Sequence, residues 1–344
     1  MSGTSSTHMK TEIAEIPTAI ARLFDRSREA IAAAGAALRE RDPALIATIA
    51  RGSSDHAASF LKYAIELTAH RPVASLAPSV ASIFQAPLQM RAAAAISISQ
   101  SGESPDIVAM AETAREGGAL TLALVNQPAS PLAKTASHPI DIAAGPELSV
   151  AATKTFVSSI VAGLAVLAEW QQDAALRSAL AALPDHAEQA LACEWHGLIE
   201  ALDGHDSLYV LGRGPAMAIA SEAALKFKET SGLHAEAYSA AEVMHGPVAI
   251  VDRGFPVLVL AARDAAEKSC ASAAEQLAAS GAAVFVSADG APAASRLPFV
   301  ATGHPLTDAL CLALPFYAFV EAFARHRGLN PDQPPRLRKV TETK

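Results

Sequence analysis

Short apolar runs alternate along this chain with longer stretches in which apolar residues recur every three or four positions. In the first half the short runs are 45–51, 73–76, 94–99, 120–125 and 140–143. Several lack polar alternation, as expected of parallel strands covered on both faces. The intervening 56–68 and 105–117 have the length and spacing of helices. The second half repeats the scheme, with strands predicted at 208–211, 257–261 and 284–287 and helices at 216–231, 265–280 and 307–328. Such a βα alternation predicts an α/β, doubly wound fold.

The two halves also echo each other residue by residue. Ala50-Arg51-Gly52 opens a loop in the first and Gly212-Arg213-Gly214 in the second, with the arginines 162 residues apart. At the same offset Ile96 and Ile98 fall on Leu258 and Leu260. A period near half the length points to duplication of one α/β unit. The expected division is an N-terminal segment 1–30, a first subdomain 31–180, a second 195–330 and a tail 331–344. The joint falls around Leu183-Pro184-Asp185.

Composition narrows the chemistry. Of 344 residues 51% are hydrophobic, enough for a large core, and 27 Lys+Arg against 35 Asp+Glu leave a net charge of −8. That balance, with only 5% aromatics, argues against nucleic-acid binding, which needs dense cations or stacking platforms. Cys193, Cys270 and Cys311 form no CxxC pair and are expected to be free thiols in a reducing compartment. The N-terminus shows no apolar signal core, and 156–170, the most apolar helical run, is short for a bilayer span. A cytoplasmic protein with no membrane partner is expected.

Three hydroxyl-rich loops precede predicted helices: Gly52-Ser53-Ser54, Ser99-Gln100-Ser101-Gly102-Glu103-Ser104, and Ala151-Ala152-Thr153-Lys154. Hydroxyls and backbone N–H groups at a helix N-terminus suit a phosphate dianion. Plain N-capping is the commoner role of any one such loop, whereas three at the same sheet edge favour a phosphate or sugar site. Gly212-Arg213-Gly214 begins like a dinucleotide fingerprint but lacks its third glycine. On the 222–229 stretch Glu222, Lys226 and Glu229 fall at i, i+4 and i+7, on one helix face. Charge pattern alone makes this a solvated stripe. The sequel, His234-Ala235-Glu236-Ala237-Tyr238 and Glu242-Val243-Met244-His245-Gly246-Pro247, embeds ionisable groups in apolar sequence and points to partial burial. His234 and Glu236 alone do not complete a metal site. The tail, from Asp332 through Arg336, Arg338 and Lys339 to Thr341, reads by composition as a solvated end.

Taken in order, these motifs resemble the SIS (sugar isomerase) family over nearly the whole chain. The likeness is to the isomerase half of glucosamine-6-phosphate synthase and its stand-alone relatives. It implies two tandem flavodoxin-like subdomains, each a parallel sheet flanked by helices, with the C-terminal tail over the active site. It implies a sugar-phosphate cradle of Gly52, Ser53, Ser54, Ser99, Gln100, Ser101 and Ser104, with Val150 and Ala152 lining the sugar. Glu229 is then the acid/base, Lys226 its neighbour on the sugar oxygens, His245 the ring-opening residue contributed across a homodimer, and Lys339 the tail lysine. No cofactor and no metal are implied. The synthase usually has Ser where this chain has Ala152. It also starts with a glutaminase half whose N-terminal Cys releases ammonia, and no Cys precedes residue 193 here. The expectation is therefore deamination of glucosamine 6-phosphate, favoured by the likeness of Arg51-Gly52-Ser53-Ser54-Asp55-His56, Pro78-Ser79-Val80-Ala81-Ser82 and Lys339-Val340-Thr341 to SIS-type deaminases. The alternatives are another amino-sugar-phosphate isomerase or an isomerizing aminotransferase, and a non-catalytic sugar-phosphate sensor.

Overall fold

A computed structural model describes residues 6–339. In chain order its first half holds α1 (His8–Ala14), α2 (Ile16–Arg41), β1 (Leu45–Ile49), α3 (Ser53–Thr68), β2 (Val73–Ser75), α4 (Ser79–Ser82), β3 (Ala93–Ser99), α5 (Pro105–Glu116), β4 (Leu120–Val125), α6 (Pro131–Thr135), β5 (His138–Asp141) and α7 (Lys154–Gln171). After α8 (Ala174–Ala181), α9 (Leu183–Leu191) and α10 (Gly197–Leu202) come β6 (Ser207–Gly212), α11 (Pro215–Ser231), β7 (His234–Ser239), β8 (Pro256–Val259), α12 (Glu267–Ala279), β9 (Ala283–Val286), β10 (Ser295–Arg296), α13 (Pro305–Cys311) and α14 (Ala313–His326).

Two compact units result, and neither is continuous in sequence. The first-sheet unit holds Ile16–Glu147, Lys154–Pro184 and, at the chain's end, residues 338 and 339. Its parallel sheet runs β2-β1-β3-β4-β5. All seven residues of β3 are buried, because helices cover both faces. α7 is buried nearly all round, between α2 and α3, which explains its lack of a polar face.

The second-sheet unit holds the described residues up to Glu15, Leu148–Thr153 and Asp185–Leu337. Its sheet runs β10-β9-β8-β6-β7, also all parallel. Counted from its own first strand this is the same 2-1-3-4-5 order, the flavodoxin-like winding. The offset of 162 survives in the hydrogen-bond register. Thr48 pairs with Ser75 and Ile96, and their counterparts Val210, Ala237 and Leu258 pair likewise. Agreement slips by one at the next strand, where Ile96 meets Leu122 but Leu258 meets Phe285.

Some expectations need correction. β7 was not predicted; His234 and Glu236 are its exposed positions, with Ala235 buried between them, so the pair lies on the edge strand of a sheet. β10 was not predicted either. The single helix expected at 307–328 is two, broken at Leu312, with Pro315 in the first turn of the second, where its missing N–H is tolerated. Among the described residues one apolar stretch, Pro305–His326, is long enough to cross a membrane, and 89% of its most apolar window is buried inside the protein. Val340 and Thr341 lie outside the described residues.

Candidate functional site

In the first sheet, β1 leads to β2 on one side, while β3 lies on the other and leads outward to β4. The loops leaving the carboxyl ends of β1 and β3 therefore flank a topological switch point, where open α/β sheets bind ligands. Two of the three predicted hydroxyl loops are there; the third, Ala151-Ala152-Thr153-Lys154, is not, because its first three residues belong to the second-sheet unit. Gly52 caps α3 with φ 55° and ψ −133°, a backbone only glycine adopts readily, and Ser53 and Ser54 form the first turn. Ser104 caps α5, yet its hydroxyl makes no capping bond. Ser99 accepts the Gly102 N–H at 3.1 Å and Ser101 accepts that of Glu103 at 3.3 Å, which folds the loop back over the strand end. Gln100 is half-buried.

Arg51 joins the two loops. Its Nε and Nη2 donate to Asp106 Oδ2 at 3.0 and 2.8 Å, and Asp106, on the first turn of α5, is buried. The sequence offered Arg51 as a mark of the repeat and as part of the family likeness, with no sign of its partner 55 residues away. Glu147, also unforeseen, is buried ahead of α7, where it accepts the Thr155 N–H at 3.1 Å and hydroxyl at 2.6 Å. Lys339, the predicted tail lysine, donates to the same carboxylate at 3.2 Å. Its polar neighbours in sequence gave no hint of this anchorage.

The second-sheet unit holds the predicted acid/base group. α11 packs on β6, β7 and α14, and Phe227 meets Phe316, Phe319 and Phe323 edge-on at centroid distances of 5.3, 5.9 and 6.2 Å. That apolar clamp turns the i, i+4, i+7 face inward. Lys226 is fully buried, 3.3 Å from Glu222 and hydrogen-bonded to Glu229. Glu222 is buried too and accepts the Tyr317 hydroxyl at 3.2 Å, whereas Glu229 keeps 22% of its side chain exposed. The stripe is thus a buried triad whose open end is Glu229. Burial pulls the Lys226 ammonium downward, but the two carboxylates outweigh it and hold the group above its ordinary value.

Val150 and Ala152, both half-buried, lie in Leu148–Thr153, and the Val150 N–H donates to the Asp332 carbonyl at 3.3 Å. His245 is exposed at the end of a 3₁₀ turn, Glu242–His245, beside exposed Met244 and close in sequence to exposed Ile250. Among the described residues no cluster of three or more His, Cys, Asp or Glu side chains gathers as a metal site would.

At the second switch point the loop after β8 differs. Ala261, Ala262, Arg263 and Asp264 stand where the first unit has Ser99, Gln100, Ser101 and Gly102. Arg263 donates to the carbonyls of Ala261 and Ser287, pairs with Glu267 at 2.9 Å and lies 3.6 Å over the Phe299 ring. The strand ends that are open to hydroxyl chemistry in the first unit are overlaid here by the protein's own guanidinium.

Comparison with known proteins agrees with this architecture. An isomerizing glutamine–fructose-6-phosphate aminotransferase of Symbiobacterium thermophilum is 35% identical over 312 residues, covering 86% of this chain and 51% of that protein. The chain spans about half the length of the curated relatives it matches. A solved structure from Silicibacter pomeroyi DSS-3, provisionally designated a phosphosugar isomerase, is 54% identical with a TM-score of 0.92, covering 95% of this chain and all of that one. A glucosamine-6-phosphate deaminase of Thermotoga maritima superposes with a TM-score of 0.77 at 21% identity, covering 98% of this chain and all of that one, a likeness of fold alone. The SIS domain profile matches residues 41–168 and 202–293, one span in each sheet, and the chain belongs to the SIS domain family.

Proposed function

We propose that the protein is a phosphosugar-transforming enzyme that deaminates glucosamine 6-phosphate to fructose 6-phosphate and ammonia. The buried Glu222–Lys226–Glu229 triad carries this assignment: a carboxylate exposed at one end and held by a fixed cation at the other is built for proton transfer. A sensor that only binds sugar phosphate has no use for so costly a buried arrangement.

The hydroxyls and N–H groups of Gly52, Ser53, Ser54, Ser99, Gln100, Ser101 and Ser104 take the phosphate, which positions the sugar and takes no part in bond changes. His245 opens the ring by passing a proton to the ring oxygen, as imidazoles do in general acid–base catalysis; its exposed site suits delivery from a second copy of the chain. Glu229 removes the proton from C2 of the open aldehyde, giving a 1,2-enolamine, and returns it to C1, giving the ketimine. Water adds to the C2 imine carbon, ammonia leaves with the bonding pair, and the ketone remains. Lys226, fully buried, does not reach the sugar as the family resemblance implies but holds Glu229 in place; Lys339 steadies the developing charge on the sugar oxygens, while Val150 and Ala152 line the chain of the sugar. None of these steps calls for a redox or metal cofactor.

The curated relatives favour one second reading, an isomerizing aminotransferase half that runs in the amination direction. Incubation with glucosamine 6-phosphate, with coupled assays for ammonia and fructose 6-phosphate, separates the two. Equimolar release of both products is expected. No ammonia from glucosamine 6-phosphate, with turnover of another amino-sugar phosphate, refutes the deaminase assignment.

A further inference from the structure

Two short stretches of chain part company with their sequence neighbours. α1 belongs to the second-sheet unit, although α2, two residues on, belongs to the first. Leu148–Thr153 likewise belongs to the second-sheet unit, although the chain on both sides of it belongs to the first. These two excursions are bonded to each other. The Glu12 carboxylate, only 4% exposed, accepts the N–H groups of Leu148 and Ser149, the latter at 3.3 Å. Asp332 grips the start of α1, its two oxygens accepting the His8 and Met9 N–H groups at 2.8 Å each, while its carbonyl accepts Val150.

A seven-residue helix is too short to hold its shape unaided. α1 is ordered by these ties, and Glu12 is what it presents. A carboxylate this deeply buried is tolerated only while amide donors meet it, so the 148–150 backbone and Glu12 fix each other. That backbone carries Val150 and leads into Ala152.

We propose that Glu12 is a positioning residue for the reaction, holding the 148–150 backbone in the conformation that receives the sugar. The inference rests on the sugar-lining role proposed above for Val150 and Ala152. The test pairs Glu12→Ala with two readouts: hydrogen exchange over residues 146–153, and KM and kcat for ammonia release from glucosamine 6-phosphate. Expected are exchange faster by about tenfold or more in that segment and KM raised about tenfold, with kcat changed less than about threefold. Should Glu12→Ala fail to fold, Glu12→Asp, which keeps the charge and shortens the reach, is expected to show both changes at smaller amplitude. Unchanged exchange overturns the proposal, as does faster exchange with unaltered KM. If the wild type releases no ammonia, the deaminase assignment fails separately; the Kd of fructose 6-phosphate, measured by calorimetry, then replaces KM with the same expected rise.

Discussion

Replacing Lys226 by Met removes a cation from between two carboxylates and keeps the length and apolar stem of the side chain. The lysine is fully buried and Glu222, 3.3 Å away, is 1% exposed, so water cannot take over the lost partner. Removing one member of a buried ion pair costs roughly 3–5 kcal/mol, mostly as the penalty of the stranded charge. The Tyr317 hydroxyl already engaged on Glu222 recovers part of this, which places Lys226→Met near the lower end of that range. Adding Glu222→Gln neutralises the stranded group, so the double variant is expected to be about 2 kcal/mol more stable than the two single effects added together. The unit concerned can be watched separately: of the two tryptophans, Trp195 lies in the second-sheet unit, buried with its Nε1 donating to the Pro298 carbonyl, and Trp170 in the first. Urea unfolding followed by Trp195 fluorescence in a Trp170→Phe background reads the right transition, which matters because two units need not unfold as one. A loss under about 1 kcal/mol for Lys226→Met, or strict additivity in the cycle, would show that the triad is solvated and the reasoning wrong. The pH dependence has a definite sign. The ammonium is held above its ordinary 10.5, so its contribution is complete below that pH and fades only as pH rises through the higher folded value.

Glu229→Gln is expected to leave sugar-phosphate binding intact by calorimetry while turnover falls on the order of 10²–10⁴. Gly52→Ala is open sterically but strained at φ 55°, and should cost about 1–3 kcal/mol in thermal unfolding and weaken fructose 6-phosphate binding. Its repeat counterpart Gly214→Ala, at φ 61°, should cost a similar amount and leave that affinity unchanged; equal loss of affinity in both would contradict the assignment of the cradle to the first sheet alone. Burial pushes the Cys270 and Cys311 thiols up to about 12, so neither should react with a thiol reagent at pH 8 until the protein is unfolded. Because the folded values exceed the unfolded 9.0, these two thiols contribute fully below pH 9 and their contribution is lost between pH 9 and 12, which denaturation at graded pH will show.

Local pattern was enough to read the βα alternation, all five strands of the first sheet and three of the second, because buried parallel strands are continuous apolar runs followed by amphipathic helices. β7 escaped notice because an edge strand carrying His234, Glu236 and Tyr238 has no apolar run. The i, i+4, i+7 spacing of Glu222, Lys226 and Glu229 was legible, but their burial was not. It depends on Phe227 and three phenylalanines about ninety residues downstream. The same holds for Arg51 with Asp106, Glu147 with Lys339 and Glu12 with Leu148: each pair is joined across 55 residues or more, and nothing local in either partner announces the other.

The repeat shows how two crevices of one winding come to carry different side chains. Both units wind the same way, keep with the offset of 162 the register of the two pairings made by their first strand, and place a glycine of the same unusual backbone at the first helix cap. The scaffold therefore creates an N-terminal anion pole twice. What differs is the loop after the third strand. In the first unit a serine side chain accepts a loop amide and leaves small hydroxyls at the rim. In the second an arginine reaches back across two strand ends and is held there by two carbonyls, a carboxylate and an aromatic face. A guanidinium so placed satisfies the strand-end carbonyls and occupies the space above them, freeing the second unit to specialise. Its resources go instead to the α11–α14 interface, where burying Lys226 between two glutamates yields one carboxylate open to solvent and fixed in place. The two loops thus differ in what they leave at the strand ends: small hydroxyls in the first unit, a held guanidinium in the second.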